Sequence, residues 1–208
     1  MRISPRDNEQ VTTPSWDDAY AGNEPAPWDI GKPQPAFVRL AERGLLTGQV
    51  LDAGCGTGEQ TLLAASSGAD ALGVDGSPLA VERARAKAAA RGIRASFEVA
   101  DALRLGDLGR SFDTIIDSGL FHVFDDDSRA RYVASLASVL RPGGRLYLMC
   151  FSDAQPGTFG PRRVSQDELR SAFAGGWTVI AIVADTFEVN RMFGATTAQA
   201  WLATVSRG

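Results

Sequence analysis

Histidine and cysteine are scarce in this 208-residue chain, which has one histidine, His122, and two cysteines, Cys55 and Cys150. Three such residues are too few for a zinc site built from several cysteines and histidines, and too few for a disulfide framework. We therefore expect no metal site. The 21 basic residues do not outnumber the 25 acidic ones, so we expect no nucleic-acid partner. No signal-peptide core and no run of about 18 apolar residues is present, so we expect no membrane partner and a cytoplasmic location. No pattern indicates an oligomeric state.

Proline and tryptophan are concentrated near the N-terminus. Six of the ten prolines lie within residues 1–35, together with Trp16 and Trp28. Proline at this density predicts an irregular arm, which we place at residues 1–32, ahead of a domain at 33–208. Large aromatic side chains such as Trp16, Tyr20 and Trp28 gain most when they are buried. The arm therefore either packs on the surface of the domain or forms a lid over a ligand.

Beyond the arm, apolar strands alternate with amphipathic helices. The patterns predict helices near 37–45, 59–67, 78–91, 125–140 and 165–173, and strands at 49–53, 69–75, 95–99, 112–117, 145–151, 177–189 and 198–206. This alternation is typical of an α/β fold with a largely parallel sheet. The connection at 190–197 is too short for a parallel crossover, so we expect the last two strands to pair antiparallel.

The segment Val50-Leu-Asp-Ala-Gly-Cys-Gly-Thr-Gly58 carries the strongest chemical signal. Its glycines follow a predicted strand and precede a helix, so the backbone can turn tightly against a ligand, close to free N–H groups of the helix. A dinucleotide pyrophosphate favours G-x-G-x-x-G, but position 59 is a glutamate. The Asp52 carboxylate would also repel a pyrophosphate. The loop therefore favours a cationic, amino-acid-bearing ligand.

Two further acidic residues follow neighbouring predicted strands. Asp75 could accept hydrogen bonds from both hydroxyls of a ribose, or it could be an ordinary turn residue before Gly76. Asp101 could accept from an adenine amino group, or it could cap a helix. With Asp52, these carboxylates would form a crevice at the carboxyl ends of the strands, where open α/β sheets bind ligands.

In order and spacing, these segments resemble class I S-adenosylmethionine-dependent methyltransferases. The matching pieces lie at 51–58, 73–75, 99–101, 112–117 and 140–144. The resemblance implies a Rossmann-like, seven-stranded, mostly parallel sheet of order 3-2-1-4-5-7-6 with a C-terminal antiparallel hairpin. It implies S-adenosyl-L-methionine as cofactor. It also implies a set of cofactor-binding residues: Trp28, Asp52, Gly54, Cys55, Gly56, Gly58, Asp75, Gly76, Ser77, Asp101, Ala102, Asp117 and Ser118.

Two shorter segments narrow the resemblance. Residues 27–35 are similar to the Trp-Asp-x-Gly-x-x-x-Pro segment of small-molecule methyltransferases of the thiopurine, thiol and halide type, whose arm folds over the cofactor. Residues 117–124 resemble an actinobacterial subgroup that acts on aromatic heterocycles and quinone-like hydroxyls. We therefore expect methyl transfer to a hydroxyl or ring nitrogen of such a small molecule, with a thiol as the alternative. A nucleotide-dependent oxidoreductase and a non-transferring cofactor-binding protein are the rival classes.

His122 is the candidate catalytic residue, because it follows the fourth predicted strand and lies where the methyl group is expected. An ordinary histidine pKa of about 6.5 would suit proton abstraction from a phenol or an enol. The alternative is a packed histidine that orients a loop. Cys55 and Cys150 are expected to be packing residues, and the loop at 151–163 either borders the substrate pocket or is a plain surface loop. Aromatic residues are expected to contact the acceptor: Trp16, Tyr20, Phe121, Phe124 and Phe159.

Overall fold

The computed structural model describes residues 16–22, 24–158, 160–192 and 195–208. Its helices are α1 (Asp18–Ala21), α2 (Pro35–Glu42), α3 (Glu59–Ser66), α4 (Pro78–Arg91), α5 (Asp126–Val139) and α6 (Gln166–Ala172), with 3₁₀ turns at Ala102–Leu108 and Phe121–Val123. Its strands are β1 (Gln49–Ala53), β2 (Asp70–Asp75), β3 (Ser96–Val99), β4 (Phe112–Ser118), β5 (Leu140–Phe151), β6 (Trp177–Met192) and β7 (Ala195–Arg207). No helix in the described ranges is long and apolar enough to cross a membrane.

The seven strands form one sheet of order β3-β2-β1-β4-β5-β7-β6. The first five strands pair in parallel, whereas β7 pairs antiparallel with both β5 and β6. The predicted α/β fold, strand order and C-terminal hairpin are therefore confirmed. The hairpin strands are longer than predicted, because the pairing continues to Met192 and Ala195 across the segment that was assigned to a connection.

Local sequence signals set the ends of the helices as predicted. Pro78 begins α4 after Ser77, whose Oγ accepts from Ala80 N at 3.1 Å. The α6 helix begins with a capping box, in which Ser165 and Glu168 each accept a hydrogen bond from the other's backbone N–H. These helices cover the two faces of the sheet and leave the carboxyl ends of the parallel strands open.

The two largest parts of the apolar core lie on opposite faces of the sheet. One contains Leu51, Ile115 and Leu136, and the other contains Val50, Phe37 and Ile116. Successive residues of β1 and β4 thus point to opposite faces, and both faces are buried, as expected for parallel strands. This burial fixes the strand ends from which the site is built.

Candidate active site

A cavity of about 850 Å³ opens at the carboxyl ends of the parallel strands. This volume lies within the range of about 300–1,000 Å³ that is usual for small-molecule sites. It brings together most of the predicted site residues: Trp16, Tyr20, Trp28, Gly54, Cys55, Gly56, Asp75, Gly76, Asp101, Ala102, Ser118, His122 and Phe124. Phe159 lies outside the described residues.

The glycine loop after β1 forms one wall of the cavity. Gly54 and Gly56 have φ values of 74° and 52°, in the left-handed region that favours glycine. A Cβ on Gly56 would lie 3.0 Å from Tyr20 Oη, and one on Gly54 would lie 2.9 Å from Leu120 Cδ2. Glycine is therefore needed both for the turn and for the close packing of neighbouring segments. Gly58 does not line the cavity, because it faces the core, where a Cβ would lie 2.7 Å from the Phe97 ring.

Asp75, the last residue of β2, is held at the edge of the cavity by two backbone groups. Its Oδ2 accepts from Gly56 N at 2.8 Å, and its Oδ1 accepts from Ser77 N at 2.9 Å. A carboxylate has about four acceptor positions, so two remain for hydroxyl groups of a ligand. Ser77 itself does not line the cavity. Its hydroxyl caps α4 and donates to Asp17 in the arm.

Asp101 lines the cavity beyond β3 and also caps the following 3₁₀ turn, since its Oδ1 accepts from Leu103 N at 2.8 Å. The neighbouring wall is apolar and includes Val99, which is 51% exposed, and Ala102. An apolar slot with one carboxylate beside it suits a flat, uncharged ring that carries an amino group.

Asp52 does not line the cavity, contrary to expectation. Its side chain is turned from β1 towards α3, where Oδ2 accepts from Thr61 Oγ1 at 2.6 Å. Its Oδ1 is buried without a hydrogen-bond partner in the described part of the chain. Burial raises the pKa of Asp52 to about 7. The alternation of side chains along β1, together with the cover of α3, places this carboxyl behind the glycine loop.

Asp117, near the end of β4, is also turned away from the cavity. It is fully buried and accepts from Leu120 N at 2.7 Å, from Phe121 N at 3.1 Å and from the Tyr132 hydroxyl at 2.9 Å. Burial raises its pKa to about 7. The carboxyl therefore shapes the turn after β4 and does not touch a ligand. Phe121, which was expected to contact the acceptor, is fully buried in the core against Phe173.

The aromatic residues of the arm lie on the half of the cavity formed by β1 and β2. Trp28 Nε1 donates to Tyr20 Oη at 3.0 Å, and Tyr20 reaches Gly56. Trp16 Cδ1 lies 3.8 Å from the position of a Cβ on Gly76. Trp16 and Tyr20, the predicted acceptor contacts, line the cavity and pack on the loops that carry the predicted cofactor-binding residues.

The other half of the cavity is formed beyond β4, around His122. The imidazole is 6% exposed, and its Nδ1 accepts from Phe151 N at 2.9 Å. Burial lowers the pKa of His122 to about 3, and the positive charges of Arg163 and Arg129 lower it further. The imidazole is therefore neutral near pH 7 and a weak base, whereas the predicted base role assumed an ordinary histidine pKa.

Several lining residues of the cavity were not among the predicted site residues: Ile30, Phe187 and Val189, together with Phe151 and Pro161 of the loop at 151–163, for which a position at the border of the pocket was one of two alternatives. Phe151 could have been found, because it ends a strand of the sheet at the ligand-binding edge. Phe187 and Val189 had no such signal, since they lie on the antiparallel β6. Pro161 confirms that the loop after β5 borders the cavity.

Comparison with known proteins gives matches over most of the chain. Residues 50–144 match the family model described as a methyltransferase domain. A 2-heptyl-1-hydroxyquinolin-4(1H)-one methyltransferase of Mycobacteroides abscessus is 38% identical over 173 residues, which are 79% of this chain and 76% of that protein. The chain belongs to the methyltransferase family.

Two further proteins are similar to this methyltransferase. Probable thiol methyltransferase 2 of Arabidopsis thaliana is 31% identical over 160 residues, which are 76% of this chain and 71% of that protein. A solved structure from a study of the conversion of a disulfide bond into a thioacetal group during echinomycin biosynthesis superposes with a TM-score of 0.78 at 40% identity. The match covers 87% of this chain and 85% of the chain in that structure. The expected methyltransferase class is thereby confirmed over a nucleotide-dependent oxidoreductase.

S-adenosyl-L-methionine is the cofactor of this methyltransferase, and the cavity suits it. Asp75 keeps acceptor positions for hydroxyl groups, and Gly54 and Gly56 place the backbone of the glycine loop in the wall of the cavity. Two buried carboxyls, Asp52 and Asp117, lie behind the cavity wall, and a cation in the cavity would favour their ionised forms. When bound, the cofactor supplies a methyl group on a positively charged sulfur.

Proposed function

We propose that this enzyme methylates a hydroxyl oxygen or a ring nitrogen of a small, flat aromatic heterocycle or quinone-like molecule. The supporting observation is the wall of the cavity around His122. Phe124, Phe151 and Phe187 line this half, and no acidic side chain does so among the described residues beyond β4. Flat apolar rings bind well between aromatic side chains. The hydroxyquinolinone-acting relative supports the same class of acceptor.

The two halves of the cavity bring the reactants together. Asp75 and the glycine loop would hold the cofactor beside β1 and β2, and Ser118, the last residue of β4, and Gly119 line the same cavity next to His122. The chain's contribution to the reaction is to align the acceptor with the methyl group of the cofactor and to keep water away. No general acid is required, because the sulfur departs as a neutral thioether.

The described part of the predicted arm, residues 16–22 and 24–32, acts as a lid in this proposal, and residues 1–15 of that arm lie outside the described residues. Asn190 Nδ2 donates to the carbonyl oxygens of Ala26 and Asp29 at 3.0 and 2.6 Å. Thr57 Oγ1 in the glycine loop donates to Asp29 Oδ1 at 2.9 Å. These contacts tie the described part of the arm to β6 and to the cofactor loop. A lid held in this way would exclude water from the methyl group.

Mass spectrometry of reaction products tests the function. The protein is incubated with S-adenosyl-L-methionine and, in separate reactions, a 1-hydroxyquinolin-4-one, a naphthoquinol, a heteroaromatic amine and a small thiol. We expect a singly methylated heterocycle or quinol. At limiting cofactor its amount should fall in Asp75→Ala and stay unchanged in Asp70→Ala, which changes an exposed residue at the opposite end of β2. Transfer to a thiol is the second candidate, supported by the Arabidopsis relative, and methylation of the thiol alone would favour it. No methylated product from any acceptor would refute the proposal.

A further inference from the structure

The two ring nitrogens of His122 have different surroundings. Nδ1 accepts a hydrogen bond from the backbone N–H of Phe151 at 2.9 Å. A backbone N–H can only donate, so Nδ1 must be the nitrogen without a proton. In a neutral imidazole the hydrogen is then on Nε2, which makes Nε2–H a hydrogen-bond donor. The β5 backbone therefore fixes the tautomer of the ring.

The Nε2 edge of the His122 ring lies beside Gly119, and both residues line the cavity. Nε2 and Cε1 both lie 3.5 Å from the position of a Cβ on Gly119, a residue that also lines the cavity. No described side chain or backbone group accepts a hydrogen bond from Nε2, and this nitrogen is not one of the fully buried polar atoms. The donor is thus available to a ligand in the half of the cavity assigned to the acceptor.

The surroundings of the ring keep it neutral. Phe151 and Phe187 pack against it, with ring centroids 4.9 and 6.0 Å away. The charged groups that act on it are the guanidinium groups of Arg129 on α5 and Arg163 in the loop after β5, and both disfavour an imidazolium. The neutral ring is therefore maintained by packing and by charge together, and it would hold a proton poorly.

We propose that His122 donates a hydrogen bond to the acceptor molecule instead of removing its proton, so that the enzyme takes acceptors whose nucleophilic atom already lacks a proton. This inference rests on the proposed function and specifies its substrate class: ionised N-hydroxyl or enol oxygens and unprotonated ring nitrogens. The other side chains at the cavity that could accept a proton have partners or lie on the cofactor side. Asp29 accepts from Thr57 Oγ1 at 2.9 Å, and Glu59 pairs with Lys87 and Arg91. Asp75 and Asp101 lie at the half of the cavity assigned to the cofactor, and Lys32 pairs with Glu188 at 2.6 Å.

The transfer balances without an enzyme base. The acceptor loses its proton to solvent before it binds. A lone pair of its oxygen or nitrogen then forms the bond to the methyl carbon, the carbon–sulfur bond breaks, and that electron pair stays on sulfur. His122 Nε2–H donates to an oxygen of the acceptor and holds the nucleophilic atom in line.

Nitrogen NMR tests the tautomer directly, because His122 is the chain's single histidine and gives an unambiguous signal. The protein is labelled with ¹⁵N-histidine, and any affinity tag is removed. We expect a proton on Nε2 alone, unchanged between about pH 5 and about pH 8. A proton on Nδ1, or a protonation midpoint within this range, would overturn the proposal. The spectrum needs no turnover, so it stands even if the proposed acceptors prove wrong.

Kinetics with matched variants tests the donor role. His122→Gln keeps an N–H donor, whereas His122→Phe keeps a ring without one. We expect His122→Gln to retain a kcat/KM at least about tenfold above that of His122→Phe, with unchanged cofactor binding in both. The pH midpoint of the wild-type kcat/KM should move with the acidity of the acceptor across a series of ring-substituted 1-hydroxyquinolin-4-ones. Equal losses in the two variants, or a midpoint that is the same for every acceptor, would overturn the donor role of His122.

Discussion

Replacing Asp75 with alanine should weaken binding of the cofactor without unfolding the protein. The carboxylate accepts from Gly56 N and Ser77 N and keeps acceptor positions for the ribose hydroxyls. Loss of a hydrogen bond to a charged group costs about 1.5–3 kcal/mol. That range corresponds to a dissociation constant that rises roughly 10- to 150-fold. The higher end is expected, because the variant also leaves the Gly56 N–H without its partner and loosens the loop.

Isothermal titration calorimetry with S-adenosylhomocysteine measures this change without any acceptor. Asp75→Asn should fall between wild type and Asp75→Ala, since an amide keeps one acceptor oxygen. Asp70→Ala is the matched control, because it removes an exposed carboxyl from the other end of the same strand. An unchanged dissociation constant for a folded Asp75→Ala protein would remove this carboxylate from the cofactor site.

Three further predictions follow from buried and bridging groups. Asn190→Ala removes two hydrogen bonds to the arm, so hydrogen exchange of residues 24–32 should accelerate; unchanged exchange would mean that these bonds do not hold the arm. Burial raises the pKa of Asp117 to about 7, so the folded state binds this proton more tightly than the unfolded chain, and the Tm of the ligand-free protein should fall between about pH 5 and about pH 8. Asp117→Asn should reduce this dependence of Tm on pH. An unchanged dependence would show that ionisation of Asp117 is not its cause. Gly73→Ala should cost about 1–3 kcal/mol of stability, because a Cβ would lie 2.5 Å from Thr61 Oγ1. Denaturant unfolding should show no comparable loss for Gly175→Ala, which meets no atom within 4 Å.

The fold and one half of the site could be predicted from local sequence. Strand-to-helix transitions and their caps are encoded within a few residues, as at Ser77 and Pro78. Parallel strands place their carboxyl ends at one edge of the sheet, so Gly54, Asp75 and Asp101 were expected there and do line the cavity.

The other half of the site could not be predicted, because it depends on contacts between segments that are distant in the sequence. Which face Asp52 and Asp117 point to follows from the strand register and from the helices that cover the sheet, and neither is encoded near those residues. The neutral state of His122 requires Phe151 and Phe187, which lie 29 and 65 positions further along the chain. From the sequence alone, only the ordinary pKa of a histidine could be assumed for His122. The residues next to it in the chain do not indicate that its side chain is buried.

A single competition reaction tests the central conclusion most directly. The enzyme receives S-adenosyl-L-methionine with a ¹³C-labelled methyl group, together with equal amounts of a 1-hydroxyquinolin-4-one and a small thiol. Carbon NMR of the products then locates the label. We expect the labelled methyl group on an oxygen or ring nitrogen of the heterocycle. A label found only on the thiol sulfur, or no S-adenosylhomocysteine formed from either acceptor, would contradict the assignment.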